Sequence, residues 1–148
     1  MTHPTDCKIC GMLHAAATED VVLAGPLWAV VAMQDVPGML MAFTRDHDRG
    51  VGFLSDGAAA ELGPLINALS ARLVATGAFE RTSVIYLGDS NAHTHFMLLG
   101  RKPGDERVFD NAPLLARFAA KDRDRARAIV ADLRDTLGGT LAPAAASA

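Results

Sequence analysis

Three short apolar segments lie in the first third of this chain, and residues typical of tight turns separate them. The short connections limit the folds that the chain can adopt. Residues 21–24, 27–33 and 39–44 are apolar, and Gly25-Pro26 and Asp35-Val36-Pro37-Gly38 separate them. Connections this short join antiparallel strands, because parallel strands need a crossover of a dozen residues or more. The sequence therefore predicts an antiparallel meander in its first third.

A long helix and a second pair of strands are predicted next. Ser55 and Asp56 are candidate N-caps, Gly77 is well placed to end the helix, and leucines between them recur at helical spacing. Pro64 predicts either a kink or a fresh start within this helix. Residues 82–87 and 93–99 predict two strands joined by a turn at 88–91.

The C-terminal part predicts one further helix and a tail. Residues 121–134 combine many charges with an apolar stripe, which is typical of a surface helix, and Gly138-Gly139 would end it. Residues 141–148 are of low complexity and are predicted to be disordered. We therefore predict a single α+β domain over residues 1–140, with about five antiparallel strands, a long central helix and a C-terminal helix.

Charge and hydropathy narrow the classes of partner. The 148 residues include 14 Lys and Arg against 17 Asp and Glu, which gives a net charge of −3. The chain therefore lacks the excess of positive charge that binding to a nucleic acid polymer usually requires. A small phosphorylated ligand needs only a few donors and stays possible. The longest apolar run, residues 21–33, is too short to span a bilayer, and no signal peptide is visible. We expect a soluble cytoplasmic protein without a membrane partner.

The two cysteines, Cys7 and Cys10, form a C-x-x-C pair. In a reducing compartment this spacing indicates half of a metal site, a redox pair, or a chance pair of buried thiols. A thioredoxin-like redox pair follows a strand and begins a helix, whereas no strand is predicted before Cys7. Metal binding is therefore favoured, with the other two interpretations left open.

Among the five histidines, His93 and His95 are the most informative. Their spacing in a predicted strand directs both side chains, and that of Met97, to one face of the sheet. They could be two surface imidazoles. Alternatively, Cys7, Cys10, His47 and His93 would form the donor set that tetrahedral Zn²⁺ prefers, closed to water and structural, leaving His95 free.

Residues 93–101, His-Thr-His-Phe-Met-Leu-Leu-Gly-Arg, resemble the signature strand of the histidine triad (HIT) superfamily. Residues 27–41, which include the Pro-Gly-His-like segment 36–41, and residues 45–47 are similar to the first half of that family. The resemblance extends from about residue 7 to residue 101. It implies a HIT-like sheet and structural zinc. The implied zinc ligands are Cys7, Cys10, His47 and His93, and the implied catalytic nucleophile is His95.

The resemblance also implies an activity. A HIT-like nucleotide hydrolase or nucleotidyltransferase would act on a nucleoside phosphoramidate or a dinucleoside polyphosphate through a covalent nucleotidyl-histidine intermediate. We expect a backbone carbonyl at Asn91 or a neighbour to orient His95, and a homodimer is compatible with the family. Substrate contacts are expected at Ser90, Asn91, Met97, Arg101 and Asp35, the last as the nearest acidic candidate for the ribose.

Two departures from the family pattern favour an alternative. Met97 stands at the third signature histidine and Met39 at the histidine of the Pro-Gly-His turn. A thioether cannot donate a hydrogen bond, and one transition-state donor can contribute ~3 kcal/mol, about two decades in rate. The chain could thus be a catalytically weak or inactive HIT-fold protein that binds a nucleotide or a partner. An unrelated small zinc or redox protein is the third interpretation.

Overall fold

The computed structural model describes residues 6–88, 91–105 and 120–137 of the chain. Within these residues the secondary structure consists of strands and helices in the order that the sequence predicts. The strands are β1 (Val21–Ala24), β2 (Trp28–Ala32), β3 (Met39–Thr44), β4 (Arg81–Ile85) and β5 (His95–Arg101), and the helices are α1 (Met12–Ala15), α2 (Asp56–Ala75) and α3 (Arg123–Leu137).

The strands form one five-stranded sheet in the order β1-β2-β3-β5-β4. All four pairings are antiparallel, and β5 lies between β3 and β4, with Met97 opposite both Met41 and Ile85. The predicted α+β class, the five-stranded antiparallel sheet, the long helix and the C-terminal helix are confirmed.

Helix α2 has the predicted caps. The Ser55 hydroxyl accepts a hydrogen bond from the backbone N–H of Ala58, and Gly77 just after the helix adopts a φ of 74°. Pro64 lies inside the helix, which continues through it. Leu65, Leu69 and Leu73 follow Pro64 and are fully buried in the core between the helix and the sheet, and this packing outweighs the backbone hydrogen bond that proline removes.

One face of the sheet packs against α2 and α3 and forms the main core. Trp28, Leu40 and Leu98 contribute from the sheet, and the Trp28 indole N–H donates to the carbonyl of Ala58 across 3.0 Å. Two arginines of α3 hold this helix against the start of β1. Arg134 donates to the carbonyl of Val21 at 2.7 Å, and Arg127 pairs with Asp20 at 3.0 Å.

The other face of the sheet is covered in part by the N-terminal segment. Ile9 is buried there against Ala29, Val31, Met41 and Phe43. His95 and Met97 lie farther along the same face by strand alternation, and both are only partly buried. The candidate site occupies this less covered part of the face.

Several predicted boundaries differ from those observed, and others cannot be compared. Strand β4 covers Arg81–Ile85, so it ends two residues before the predicted position 87. Strand β5 begins at His95 and not at His93, because the backbone N–H of Thr94 donates to the carbonyl of Asp48, in the loop after β3. Gly138-Gly139 and residues 141–148 lie outside the described residues, so the single domain over 1–140 and the disordered tail stay predictions. Among the described residues, no helix is long and apolar enough to cross a membrane.

Candidate metal centre and histidine site

Two cysteines and two histidines from distant parts of the chain meet at one end of the sheet. Cys7 and Cys10 come from the N-terminal segment, His47 from the loop after β3, and His93 from the segment just before β5. Their ligand atoms all lie within 4.8 Å of one another. The predicted Cys₂His₂ set is therefore assembled, and it can hold a metal ion.

Hydrogen bonding leaves His93 with a ligand atom directed at the thiols. Its Nε2 lies 2.8 Å from the carbonyl oxygen of Thr44, which can only accept, so Nε2 carries the proton. The Nδ1 lone pair then points at Cys7 Sγ, 3.5 Å away, and Cys10 Sγ, 3.4 Å away. Burial lowers the pKa of His93, which keeps the ring neutral as a metal ligand requires.

The spacing of the donors fits a tetrahedral zinc ion. Zn–S and Zn–N bonds of about 2.3 and 2.0 Å at tetrahedral angles separate sulfur and nitrogen by about 3.5 Å. The cysteine–histidine distances around His93 agree with this value, and Cys10 Sγ lies 3.3 Å from His47 Nδ1. Four protein ligands leave no position for water, so such a site is structural.

The cysteine pair is poorly suited to carry charge without a cation. Burial, followed by the hydrogen bond and the charge of Cys7, raises the pKa of Cys10 to about 11. A thiolate at Cys10 is therefore unfavourable beside a second sulfur unless a positive ion offsets the charge. This chemistry again matches a metal centre, since a bound metal ion stabilises both thiolates.

His95 lies next to the cluster without joining it. Its Nδ1 donates a hydrogen bond to the backbone carbonyl oxygen of His93 at 2.6 Å. Nδ1 thus carries the proton and Nε2 keeps its lone pair, so this partly exposed ring can act as an acceptor or a nucleophile. The orienting carbonyl belongs to His93 rather than to Asn91.

Apolar side chains surround His95 along the sheet. Phe43 on β3 is its cross-strand partner, and Met97 is the next residue of β5 on the same face. Met97 in turn lies between Met41 on β3 and Ile85 on β4. No sequence signal identified Met41 and Ile85 beforehand, because strand register decides which residues become neighbours.

The predicted substrate residues are only partly brought together. Asn91 lies just before His93 and is partly buried, whereas Ser90 lies outside the described residues. Arg101 is buried at the far end of β5, about 20 Å along the strand from His95, with Asp105 near its guanidinium. Asp35, in the turn between β2 and β3, forms an ion pair with Arg123 of α3 at 3.1 Å.

Comparisons with known proteins show similarity only in structure. No protein-family model matches the chain, and no curated protein matches it in sequence. A HIT-like protein from Bartonella henselae, described as involved in cell-cycle regulation, superimposes with a TM-score of 0.66. It shares 9% identity with this chain, and the match covers 92% of this chain and 100% of that one.

Two further solved structures have the same architecture. A zinc-bound histidine triad family protein from Mycobacterium smegmatis has a TM-score of 0.64 and 14% identity, with 91% of this chain and 95% of that one covered. Diadenosine triphosphate hydrolase from Plasmodium falciparum has a TM-score of 0.61 and 11% identity, with 86% and 82% covered. The chain therefore has the histidine triad fold, and the predicted resemblance is confirmed at the level of the fold.

Proposed function

We propose that this protein is a HIT-type nucleotide hydrolase or nucleotidyltransferase that forms a covalent nucleotidyl intermediate on His95. Its substrate is a nucleoside phosphoramidate or a dinucleoside polyphosphate. The observation that carries the proposal is the 2.6 Å hydrogen bond from His95 Nδ1 to the His93 carbonyl, which leaves the Nε2 lone pair free beside an accessible part of the sheet. The named activity of the Plasmodium falciparum relative supports this choice of chemistry.

The reaction would proceed in two displacements at phosphorus. His95 Nε2 attacks the α-phosphorus, the bond to the leaving group breaks, and the nucleotidyl group stays on the imidazole. Water or a phosphate acceptor then attacks the same phosphorus and releases His95. Asn91 and Ser90 are proposed to contact the phosphate, and of the two only Asn91 lies among the described residues. Asp35 and Arg101 remain proposed substrate contacts, although each has a protein partner.

We propose zinc as the metal of the Cys₂His₂ cluster. The donor spacing and the zinc-bound Mycobacterium smegmatis relative support this identity. When bound, zinc neutralises the two thiolates and holds the N-terminal segment to the sheet. Cys7, Cys10, His47 and His93 are its proposed ligands, and their role is structural.

A rapid-quench experiment tests the proposed activity. The protein is mixed with excess diadenosine triphosphate, quenched at short times, and analysed by intact-protein mass spectrometry. We expect an added mass of one nucleotidyl group, located on His95 by peptide mapping, and its absence from His95→Ala. His14→Ala is the matched control, because His14 is exposed and does not belong to the Cys/His cluster. Equal turnover by the native protein and His95→Ala would refute the proposal.

A second candidate function is binding without turnover. It is favoured by Met39 and Met97, which occupy positions where the HIT pattern has imidazoles. A binding protein would show calorimetric affinity for a nucleotide in both the native protein and His95→Ala, with no covalent adduct in either.

The remaining expectations concern assembly and location. We propose that two copies form a homodimer, supported by exposed apolar side chains on or just after the edge strand β4, namely Val84, Tyr86 and Leu87. A cytoplasmic location is proposed because cysteine ligands for a metal ion persist in a reducing compartment.

A further inference from the structure

The sheet face beside His95 carries side chains that have no acidic proton. Met97 follows His95 on the same face of β5, and the register places Met41 and Ile85 on either side of Met97. Phe43 is the cross-strand partner of His95 itself. Thioethers, alkyl groups and a phenyl ring cannot protonate a departing atom.

The two polar side chains that the register and the sequence place near His95, Ser83 and Asn91, do not supply an acid. Ser83 lies one cross-strand pair farther along this face, opposite Leu99, and its hydroxyl is not acidic near neutral pH. The amide of Asn91 can donate a hydrogen bond but cannot transfer a proton. His95 Nδ1–H is already committed to the His93 carbonyl.

This arrangement affects the first displacement on His95. Nε2 forms the N–P bond while the bond from phosphorus to the leaving atom breaks, and the electron pair of that bond goes to the leaving atom. An alkylamine nitrogen must take up a proton as it leaves, because its anion is far too basic. A phosphate, sulfate or aryl oxygen leaves as a stable anion without a proton. General acids contribute roughly 10²–10⁴-fold where the leaving atom needs one.

The second displacement has no such requirement. Water attacks the phosphorus of the nucleotidyl-histidine, its proton passes to solvent, and the electron pair of the N–P bond returns to His95 Nε2. The leaving group of the first step therefore decides which substrates react.

We infer that Met97 restricts the reaction to nucleotide derivatives whose leaving group departs as a stable oxyanion, and so selects against alkylamine phosphoramidates. The inference rests on the proposed function and narrows its substrate class. Met97 is specificity-determining because it is the next residue of β5 on the same face as His95, where a donor side chain would lie beside the nucleophile.

Two adenosine 5′-monophosphate derivatives test the inference. One carries a p-nitrophenyl ester and the other an n-butylamine phosphoramidate, so only the leaving group differs. For the native protein we expect kcat/KM for the ester to exceed that for the phosphoramidate by at least about 100-fold.

Two substitutions at the same position separate proton donation from packing. Met97→His adds a donor, and we expect it to raise the phosphoramidate rate by roughly tenfold or more while changing the ester rate far less. Met97→Leu keeps an apolar side chain of similar volume, and we expect it to leave the ratio of the two rates unchanged. Thermal unfolding of both variants shows whether each is folded, and the ratio in the native protein is informative without them.

The outcomes distinguish this inference from the proposed function. Comparable rates on both substrates in the native protein, or an equal gain on both from Met97→His, would overturn the inference while a His95 adduct still supported the proposed function. Absence of turnover on both substrates, together with absence of any adduct on His95, would overturn the proposed function and this inference with it.

Discussion

The backbone carbonyl of His93 accepts a hydrogen bond from Nδ1 of His95, 2.6 Å away, while the side chain of His93 belongs to the Cys₂His₂ cluster. One residue therefore contributes to two neighbouring candidate sites, through its ring to the Cys₂His₂ cluster and through its peptide group to the imidazole of His95. The His93 ring is fixed in turn by the carbonyl of Thr44. Contacts that fix His93 therefore also restrict the orientation of the His95 ring, because that ring is hydrogen-bonded to the His93 carbonyl.

Removal of one thiol is expected to destabilise the protein through loss of the metal. For Cys7→Ser we expect a much reduced zinc content and a fall in Tm of roughly 10 °C, because folding and metal binding are coupled. Elemental analysis and thermal unfolding measure the two effects. Lys8→Ser is the matched control, since Lys8 is exposed in the same segment. Native protein purified without chelators that holds less than about half an equivalent of zinc would contradict the assigned centre.

The ion pair between Asp35 and Arg123 gives a prediction about pH. The hydrogen bond from Arg123 lowers the pKa of Asp35, so the pair stabilises the fold above the unfolded pKa of about 4 and loses this effect as the pH falls below it. We expect Asp35→Asn to lower Tm at pH 7 and to match the native protein at acidic pH.

A double-mutant comparison separates this structural role of Asp35 from substrate binding. If the carboxylate acts through Arg123, the variant combining Asp35→Asn with Arg123→Gln is no less stable than either single variant. If Asp35 instead contacts the ribose, Asp35→Asn raises KM for a nucleotide substrate and Arg123→Gln does not. Steady-state kinetics on the three variants decides between them.

The close contact of Phe79 with two glycines predicts a strong effect of adding one methyl group. A Cβ on Gly100 would lie 2.6 Å from Cγ of Phe79, and a Cβ on Gly38 would also overlap this ring. We expect Gly100→Ala to lower the free energy of unfolding by about 1–3 kcal/mol, measured by urea denaturation.

Gly63→Ala provides the contrast for that experiment. A Cβ on Gly63 meets no atom within 4 Å apart from its chain neighbours, and the residue lies inside α2 just before Pro64. The helical preference of alanine and its contact with the Pro64 ring oppose each other, so we expect a small net effect of Gly63→Ala on the free energy of unfolding. The effect of Gly100→Ala is expected to be clearly larger. A neutral result for Gly100→Ala would show that Phe79 moves aside without cost.

The proposed homodimer predicts that a charge on β4 disrupts assembly. Val84 on this edge strand is 42% exposed, and we expect Val84→Lys to shift the mass measured by light scattering toward that of one chain. Val74→Lys is the matched control, because Val74 is 38% exposed but lies on α2. A native protein that is monomeric at every concentration tested would contradict the proposal.

Structural features that depend on a few neighbouring residues can be predicted from the sequence. Ser55 and Gly77 define the ends of α2 because caps depend on local backbone geometry, and the turn residues around residues 25 and 37 separate the strands. The Cys₂His₂ set could also be predicted from the sequence, since cysteine and histidine are few in this chain and their metal chemistry is specific.

Features that depend on distant partners were not readable. The start of β5 at His95 follows from a hydrogen bond between Thr94 and Asp48, and the pairing of Asp35 with Arg123 joins residues far apart in sequence. The burial of Ile9 on the sheet likewise depends on where the N-terminal segment folds back. Each of these contacts is set by tertiary packing, which local propensity does not encode.

Ile9 lies between the two cysteines, and it seals the apolar patch formed by Ala29, Val31, Met41 and Phe43. The two cysteines of the candidate metal site therefore flank the residue that covers this patch. Without the proposed zinc ion, we expect residues 7–10 to detach from the sheet and to expose this apolar patch, and an exposed apolar strand surface promotes aggregation.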